Sequence, residues 1–246
     1  MVVGDNKSLE LVMPLYKYDL CTFFGAVGSS LSNQQRLALF KRCVECLEAL
    51  HCFGPRGTLH TNIKASNFLL GPPSMDSFDA DSLIESLVIT DFGFKQRAKE
   101  TLRYEPIASK GGIGGRVKST AAYASPEVAK RLRNGGDVLV TRRSDIYSLG
   151  MVLGFILTNT EPFKELPTFY KILHAIKRDQ PRFDLIEIDN KPPLLQLLYQ
   201  WCTQPNQSAQ PSSCREILMV LKRVSLSRDT STVIEASRRS QRTVGG

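Results

Sequence analysis

The chain has 246 residues, of which 42% are hydrophobic and 23% charged, and its formal net charge is +8 at pH 7. This composition is typical of a globular protein with one or two domains; no apolar run approaches the roughly 20 residues of a membrane-spanning helix, and the N-terminus lacks the pattern of a secretory signal. Aromatic residues do not alternate with basic ones as they do in single-strand-binding grooves, so we attribute the positive charge to solvated basic surfaces and expect no nucleic-acid partner.

The first half of the chain predicts three short strands and two helices. The apolar runs of strand length lie at residues 9–13, 68–70 and 87–89. Residues 19–24 predict a short helix, and apolar residues recur at helical spacing from Asn33 to Phe53. Asn33 is the predicted cap of this long helix, and Gly54-Pro55 its stop.

Two polar stretches interrupt this pattern. Residues 71–86 carry four acidic and no basic side chains, which predicts an inserted surface loop. Residues 94–120 are polar and basic and include a glycine-rich knot at residues 111–115, which predicts a second loop.

The second half of the chain is predicted to be helical. The predicted helices cover residues 128–133, 146–157, 166–177, 193–202 and 214–224. The helix at 146–157 is almost entirely apolar, so we expect it to be buried. Residues 225–246 are rich in Ser, Arg and Thr and predict a basic, disordered tail.

The cysteines favour a reducing compartment. Cys43 and Cys46 form a C-x-x-C pair, but no second pair stands at zinc-binding spacing, so buried free thiols are the preferred interpretation. We therefore expect an intracellular, cytoplasmic protein, with the nucleus as an alternative location. The six cysteines are Cys21, Cys43, Cys46, Cys52, Cys202 and Cys214.

Five sequence motifs follow one another along the chain. They are His60-Thr61-Asn62-Ile63-Lys64-Ala65-Ser66-Asn67, Asp91-Phe92-Gly93, Tyr123-Ala124-Ser125-Pro126-Glu127, Ser144-Asp145-Ile146-Tyr147-Ser148-Leu149-Gly150, and Gln210-Pro211-Ser212 before Cys214-Arg215-Glu216-Ile217-Leu218. In this order they resemble the catalytic loop H-R-D-L-K-x-x-N, the D-F-G and A-P-E motifs, the start of the buried central helix and the closing R-P-S motif of protein kinases. Each motif alone is weak, but all of them in family order over residues 9–224 indicate a protein kinase domain.

The resemblance implies an α+β, protein-kinase-like fold, of which this chain carries the predominantly helical C-terminal lobe. The N-terminal lobe is expected to be missing or truncated. Residues 1–18 would be the remnant of the lobe junction and hinge, 19–224 the C-terminal lobe, and 225–246 the tail. Within the lobe, residues 91–127 would form the activation segment.

The resemblance also implies a nucleotide site for ATP and Mg²⁺, with weak or absent binding as the alternative. The residues implied around the adenine are Met13 at the gatekeeper position, Leu15 and Tyr16 in the hinge, and Leu69 beneath the ring. Asn67 and Asp91 match the two metal ligands of the family, and their amide and carboxylate oxygens suit Mg²⁺.

The catalytic residues depart from the family pattern. Lys64 matches the lysine that contacts the transferring phosphate in Ser/Thr kinases, but Asn62 stands where the family has the aspartate that acts as general base. An amide is hardly basic, so it cannot take the proton of a substrate hydroxyl, and losing a positioned base typically costs about 10²- to 10⁴-fold in rate. We therefore expect an inactive or severely impaired kinase domain, a pseudokinase.

Two further positions differ. Thr61 stands where family members often carry an arginine that senses activation-loop phosphate. Gln210 stands where the resemblance implies an arginine paired with Glu127; a glutamine can still donate one hydrogen bond to that carboxylate, but without the charge.

Two functions remain in competition. The first is a scaffold or allosteric partner in signalling that binds a protein, either an active kinase or a kinase substrate, through an exposed apolar surface around Met13, Leu69 and Phe92. The second is a truncated Ser/Thr kinase that transfers the ATP γ-phosphate to protein hydroxyls when a full N-terminal lobe is present. Lys64 and Thr120 favour serine and threonine over tyrosine as its substrates.

Overall fold

The computed structural model of the chain describes residues 2–5, 8–11, 13–55, 57–75, 79–91, 99–104, 120–178, 180 and 182–226. The elements in chain order are β1 (Val2–Asp5), β2 (Ser8–Leu11), β3 (Tyr18–Asp19), α1 (Leu20–Val27), α2 (Asn33–His51), β4 (Phe68–Leu70), α3 (Ala80–Glu85), β5 (Val88–Ile89), β6 (Lys99–Tyr104), the helical turn α4 (residues 120–123), α5 (Pro126–Asn134), β7 (Gly136–Thr141), α6 (Arg142–Thr158), α7 (Phe169–Lys177), α8 (Leu185–Asp189), α9 (Pro193–Cys202) and α10 (Cys214–Leu226). Helices dominate the described chain, and the fold is the expected α+β class.

The strands form three small antiparallel sheets. β1 pairs with β2, and β4 lies between β3 and β5. In the second sheet Leu69 of β4 lies opposite Asp19 on one side and Val88 on the other. The two predicted strands at 68–70 and 87–89 are therefore neighbours, and they bring the ends of two motif-bearing loops together.

The third sheet joins two distant segments. β6 pairs with β7 from Lys99 opposite Thr141 to Tyr104 opposite Gly136. Neither strand was predicted: β6 lies in a polar, basic stretch, and the apolar run of β7 at residues 138–140 is short and flanked by helices. β6 lies within the predicted activation segment and β7 runs directly into α6, so the backbone pairing connects that segment with the start of the central helix.

The start of the long helix α2 corrects the predicted cap. Ser32, not Asn33, is the N-cap: its Oγ accepts from the Gln35 backbone N at 3.1 Å. The Gln35 Oε1 in turn accepts from the Ser32 backbone N at 3.1 Å. This reciprocal capping box satisfies two backbone donors at the helix start, which Asn33 as first helical residue could not do.

The sequence predicted that the acidic insertion at residues 71–86 is a surface loop. The structure shows that part of it is a helix instead. The insertion contains α3, which Asp79 caps by accepting from the backbone N of Asp81 and Ser82. Leu83 and Ile84 of α3 are each 2% exposed. Asp81 and Glu85 are exposed and stand four residues apart on α3, whose apolar side belongs to the core.

The central helix α6 organises the core, as its apolar sequence predicted. Thirteen of its 17 residues are buried. Two glycines allow its neighbours to approach closely: a Cβ at Gly150 would lie 2.6 Å from Thr203 Cγ2, and one at Gly154 would overlap the Phe183 ring. The backbone of α6 is therefore held against α9 and the segment before α8 with little room for adjustment.

Three predictions fall outside the described residues: the Phe92-Gly93 end of the D-F-G motif, the glycine-rich knot at 111–115, and the tail beyond residue 226. In the part of the chain that the structure describes, no helix combines the length and the apolar character needed to cross a bilayer.

Candidate active site

A buried carboxylate anchors the predicted catalytic loop. Asp145, in the first turn of α6, is 2% exposed. Its Oδ2 accepts from the His60 backbone N at 2.8 Å and its Oδ1 from the Thr61 backbone N at 2.8 Å. Thr61 has φ of 65°, in the left-handed region, which turns two consecutive amides towards one carboxylate. Oδ2 also accepts from His51 Nε2 at 3.0 Å, so one side chain satisfies three buried donors.

His60 is a neutral, structural histidine at the base of the loop. Its Nε2 lies 3.0 Å from the Thr90 carbonyl oxygen, which can only accept, so Nε2 carries the proton. Its Nδ1 then accepts from the Asn62 backbone N at 3.2 Å. Burial lowers the pKa of His60, although the Asp145 carboxylate opposes the effect. The ring therefore links the catalytic loop to the end of β5 without carrying a charge.

The lowered pKa of His60 predicts a loss of stability in mild acid. An unfolded histidine titrates near 6.5, and the folded ring binds a proton only at lower pH. The unfolded state therefore gains protons first, and stability that is complete above pH 6.5 is lost as the pH falls below it, by up to about 1.4 kcal/mol per pH unit. Urea unfolding at pH 7.5 and 5.5 measures this difference; His60→Gln should lose less over the same interval, and an equal loss in both proteins would contradict the assignment.

Asn62 lies in a hydrogen-bonded cluster with Asn67, Asp91 and Thr120. The Asn62 Nδ2 donates to Asp91 Oδ2 at 3.0 Å, and its Oδ1 accepts from Thr120 Oγ1 at 3.3 Å. Asn67 Nδ2 donates to the Asn62 carbonyl oxygen at 2.7 Å and lies 3.4 Å from Asp91 Oδ2. The side chain at the predicted base position is thus engaged through both its amide nitrogen and its amide oxygen.

The two predicted metal ligands lie together, with the Asn67 amide nitrogen 3.4 Å from Asp91 Oδ2, and both side chains carry oxygen atoms of the type that a hard cation takes. Asp91 is exposed and Asn67 is 5% exposed, so the carboxylate is open to solvent while the neighbouring amide is buried. Asp91 has φ of 61°, a strained backbone position that often marks a functional site. Oxygen atoms of Asp91 and Asn67 would hold Mg²⁺, which would supply charge neutralisation for a bound polyphosphate.

The remaining predicted site residues are arranged as follows. Lys64 is half-buried, and its charge partly offsets the rise that burial, Glu161 and Asp19 cause in the pKa of the Cys21 thiol. The predicted adenine contacts lie on or near β3 and β4, with Met13 51% and Leu15 85% exposed and with Tyr16 and Leu69 half-buried. The roles of these residues in nucleotide binding stay predictions.

The structure contradicts the predicted bond between Gln210 and Glu127. Glu127 Oε1 accepts from Ser125 Oγ at 2.6 Å and from Ser144 Oγ at 2.8 Å. Gln210 is 5% exposed and its Nε2 donates to the Gln204 carbonyl oxygen at 2.6 Å. The fold places the Gln210 amide next to the Gln204 carbonyl oxygen, whereas Glu127 Oε1 is occupied by two serine hydroxyls.

Arg182 is a site residue that sequence reasoning missed. It is 7% exposed, and its Nη1 donates to the carbonyl oxygens of Ala122 at 2.8 Å and Ala124 at 2.7 Å. Its guanidinium lies 4.9 Å from the centroid of the Tyr147 ring. Burial lowers the pKa of Arg182, and Tyr147, Tyr199 and Glu127 oppose that shift. A single arginine in a loop carries no periodic signal that could have revealed this contact.

Replacing Arg182 with methionine is expected to lower the free energy of unfolding by about 3 kcal/mol. The apolar side chain has similar length, but it leaves the carbonyls of Ala122 and Ala124 without their charged donor. Urea unfolding measures the change. Arg178→Met, at an exposed arginine, should stay within about 0.5 kcal/mol of the wild type. Similar losses in the two variants would contradict the anchoring role of Arg182.

Comparison with known proteins gives a consistent result. The family model described as "Protein kinase domain" matches residues 1–221. Calmodulin-binding receptor-like cytoplasmic kinase 3 of Arabidopsis thaliana is 32% identical over 145 residues, which are 58% of this chain and 24% of that protein. Dual specificity protein kinase shkA of Dictyostelium discoideum is 32% identical over 155 residues, 63% of this chain and 24% of that protein.

A third relative is matched over more of its length. Serine/threonine-protein kinase mos of Patiria pectinifera is 28% identical over 196 residues, which are 80% of this chain and 48% of that protein. The chain thus spans about a quarter to a half of the curated relatives that it matches.

Proposed function

Because the chain belongs to the protein kinase family, we propose that it is a kinase-domain protein whose phosphoryl transfer is lost or severely impaired and which acts in signalling by binding another protein. The observation that carries this proposal is the environment of Asn62. At the position of the family's base, the amide nitrogen donates to Asp91 at 3.0 Å and the amide oxygen accepts from Thr120 at 3.3 Å.

The chemistry of an amide supports this proposal. A general base must accept the proton of the attacking hydroxyl, and a carboxamide oxygen can accept a hydrogen bond but does not become protonated at neutral pH. The hydrogen bond from Asn62 to Asp91 also directs a donor, not an acceptor, towards the predicted metal ligand. Positioning of the hydroxyl and neutralisation of charge are the contributions to catalysis that remain.

Nucleotide binding without efficient transfer is compatible with this site. Asn67 and Asp91 retain oxygen atoms for Mg²⁺, and half-buried Lys64 retains a cation near the loop. We propose weak binding of ATP with Mg²⁺ through these residues. A cytoplasmic location is also proposed, in keeping with the name of the Arabidopsis thaliana relative.

Incubation of the purified chain with labelled ATP, Mg²⁺ and a general Ser/Thr substrate protein tests the catalytic part. We expect no incorporation above a blank without the chain, and a thermal shift with ATP and Mg²⁺ that Asp91→Asn reduces. Robust incorporation by a preparation free of other kinases would overturn the proposal. Absence of a shift at millimolar nucleotide would restrict the function to protein binding.

The binding part of the proposal depends on exposed apolar side chains at the predicted hinge. Met13 is 51% and Leu15 85% exposed, and such groups are frequent in interfaces. An active Ser/Thr kinase domain is the probe of choice, with calorimetry as the readout. Leu15→Asp should weaken binding at least tenfold (about 1.4 kcal/mol). Ile186→Asp, at a 72% exposed position of α8, should leave it unchanged. Equal affinity of both variants, or no binding, would count against this surface.

The alternative function is that of a Ser/Thr protein kinase acting with a full N-terminal lobe. The names of relatives such as the Patiria pectinifera kinase support it, as does the clustering of Asn67 with Asp91. Joining the chain to the N-terminal lobe of an active relative separates the two functions. Transfer at a rate typical of active kinases would favour the alternative.

A further inference from the structure

Three side chains of types that can bind a metal lie together where α2 ends and α10 begins, outside the cluster of Asn62, Asn67, Asp91 and Thr120. Glu48, His51 and Cys214 each offer one potential ligand atom, and these three atoms lie within 4.8 Å of one another. Glu48 and His51 are three residues apart in the last turn of α2, so they share a helix face. Cys214 is the first residue of α10 and is fully buried.

The hydrogen bond from His51 Nε2 to Asp145 determines that Nδ1 is the ring nitrogen that can bind a metal. Its Nε2 lies 3.0 Å from Asp145 Oδ2, and a carboxylate oxygen accepts, so Nε2 carries the proton. The other nitrogen, Nδ1, therefore carries a lone pair, which accepts from the Cys214 thiol at 3.9 Å and is released when that thiol loses its proton to bind a metal. A histidine whose second nitrogen donates to a carboxylate is the usual arrangement of a metal-ligating histidine, because that bond fixes both ring orientation and tautomer.

The distance between the nitrogen and sulfur ligand atoms is close to that of tetrahedral zinc. With Zn–S of about 2.3 Å and Zn–N of about 2.0 Å, tetrahedral angles separate a sulfur and a nitrogen ligand by about 3.5 Å. The 3.9 Å between His51 Nδ1 and Cys214 Sγ requires only a small adjustment. Cys52 Sγ lies 3.4 Å from Glu48 Oε1, but Cys52 is not one of the three residues whose ligand atoms lie within 4.8 Å of one another. A water molecule is therefore the fourth ligand in this arrangement.

We propose that Glu48, His51 and Cys214 bind a Zn²⁺ ion, with water completing the coordination. Sulfur, imidazole and carboxylate together favour zinc over magnesium or calcium, which take oxygen ligands. On binding, the Cys214 thiol releases its proton to solvent and the sulfur binds as thiolate. The charges of Glu48 and the thiolate then balance the ion.

Two arginines lie next to the cluster, and neither prevents Glu48, His51 or Cys214 from binding a metal. Arg215 lies 3.8 Å from Glu48 Oε1, but its side chain is 77% exposed and can turn into solvent when the carboxylate binds metal. Arg142 Nη2 donates to the His51 carbonyl oxygen at 2.7 Å, so its charge is directed at the backbone. Burial, Glu48 and Asp145 raise the pKa of the Cys214 thiol and Arg142 only partly opposes that rise, so the metal itself has to displace the thiol proton.

The proposed site is coupled to the catalytic loop through one side chain. Asp145 receives the His51 proton donor and, on the same carboxylate, the backbone amides of His60 and Thr61. A metal on His51 Nδ1 polarises the ring and strengthens its bond to Asp145. Zinc would thereby stabilise the loop that carries Asn62 without binding to Asn62, Asn67 or Asp91.

Zinc titration of the chain after dialysis against a chelator tests the proposal. Calorimetry should give one Zn²⁺ per chain, and Co²⁺ in its place should give a sulfur-to-cobalt charge-transfer band. Cys214→Ala should abolish the band and weaken Zn²⁺ binding at least about a hundredfold, since losing even an outer partner costs about 10- to 100-fold. The matched control is Cys46→Ala, a half-buried thiol of α2 whose Sγ lies 3.4 Å from the Leu87 carbonyl oxygen; it should bind as the wild type does.

A second variant is needed because Cys214 is buried and its replacement could prevent folding. Glu48 has a side chain that is 19% exposed, so Glu48→Gln should fold normally while binding Zn²⁺ at least tenfold more weakly. Zn²⁺ should raise the thermal unfolding midpoint of the wild type and of Cys46→Ala more than that of Glu48→Gln. A stoichiometry far below one, or unchanged affinity in both Cys214→Ala and Glu48→Gln, would overturn the proposal.

Discussion

Replacing Asn62 with aspartate is expected to raise the rate of phosphoryl transfer by about 10²- to 10⁴-fold when the chain is joined to the N-terminal lobe of an active relative. The substitution exchanges the amide nitrogen for an oxygen and supplies a carboxylate where an amide now donates to Asp91. The Thr120 hydroxyl can donate to the new carboxylate as it does to the amide oxygen. A steady-state assay of labelled phosphate incorporation, with ATP and Mg²⁺ saturating, measures the gain.

The same substitution has a second, metal-dependent effect. The Asn62 Nδ2 and Asp91 Oδ2 are 3.0 Å apart, so Asn62→Asp places two carboxylates in contact. Without a cation their repulsion should lower the thermal midpoint, and Mg²⁺ should restore it by binding between them. Asn190→Asp, at the exposed end of α8, is the control for the added charge and should change neither the rate nor the response to Mg²⁺.

Equal transfer rates in the wild type and in Asn62→Asp would mean that the amide of Asn62 is not the cause of the impaired activity. A high rate in both proteins would favour the kinase alternative. A negligible rate in both would mean that Asn62 is not what limits transfer. Only a large, Mg²⁺-dependent gain in Asn62→Asp supports the proposed reason for impairment.

The second large effect is expected from Asp145→Ala, which should lower the free energy of unfolding by about 3–5 kcal/mol. Three buried donors, the amides of His60 and Thr61 and the His51 ring, lose their acceptor at once. Removing one partner from a buried polar group leaves the others with their full desolvation cost. Asp189→Ala, at an exposed aspartate at the end of α8, should change stability by less than about 0.5 kcal/mol.

Urea unfolding at neutral pH, with far-ultraviolet circular dichroism as the signal, distinguishes the two aspartate variants. Asp145→Asn is informative beside Asp145→Ala, because its amide oxygen can still accept from one backbone amide. We therefore expect an intermediate loss for the asparagine variant. A loss below about 1 kcal/mol for Asp145→Ala would contradict the view that this carboxylate anchors the loop.

Regular apolar patterns made the helical core predictable. α9 was predicted with its observed bounds, and the long helix α2 differs from its prediction only at its ends. The strands at 68–70 and 87–89 were predicted because each is a short apolar run, and the structure pairs them. Local periodicity carries this information, since each element buries the face that its own sequence defines.

Features that depend on distant partners could not be predicted. The pairing of β6 with β7 joins segments that lie far apart in the chain, and what makes β6 a strand is its partner rather than its own polar sequence. Arg182 and the actual partner of Gln210 depend on which carbonyl oxygens the fold brings near them. The spacing of Glu48 and His51 likewise suggested nothing until α10 brought a thiol beside them.

The candidate site was predictable in its members but not in its geometry. The order of the motifs located Asn62, Asn67 and Asp91, because each motif occupies a fixed place in the family's sequence pattern. The direction of the Asn62 amide, with its nitrogen towards Asp91 and its oxygen towards Thr120, depends on two loops that meet only in the folded chain.

The close fit of α6 has a consequence for how the loop at His60 and Thr61 moves. Their amides donate to a carboxylate on a helix that Gly150 and Gly154 hold tightly against its neighbours. In hydrogen–deuterium exchange these two loop amides should therefore be as slow as those of core helices, exchanging only when the whole lobe opens. Any conformational signalling by this domain would then have to originate in segments other than this loop.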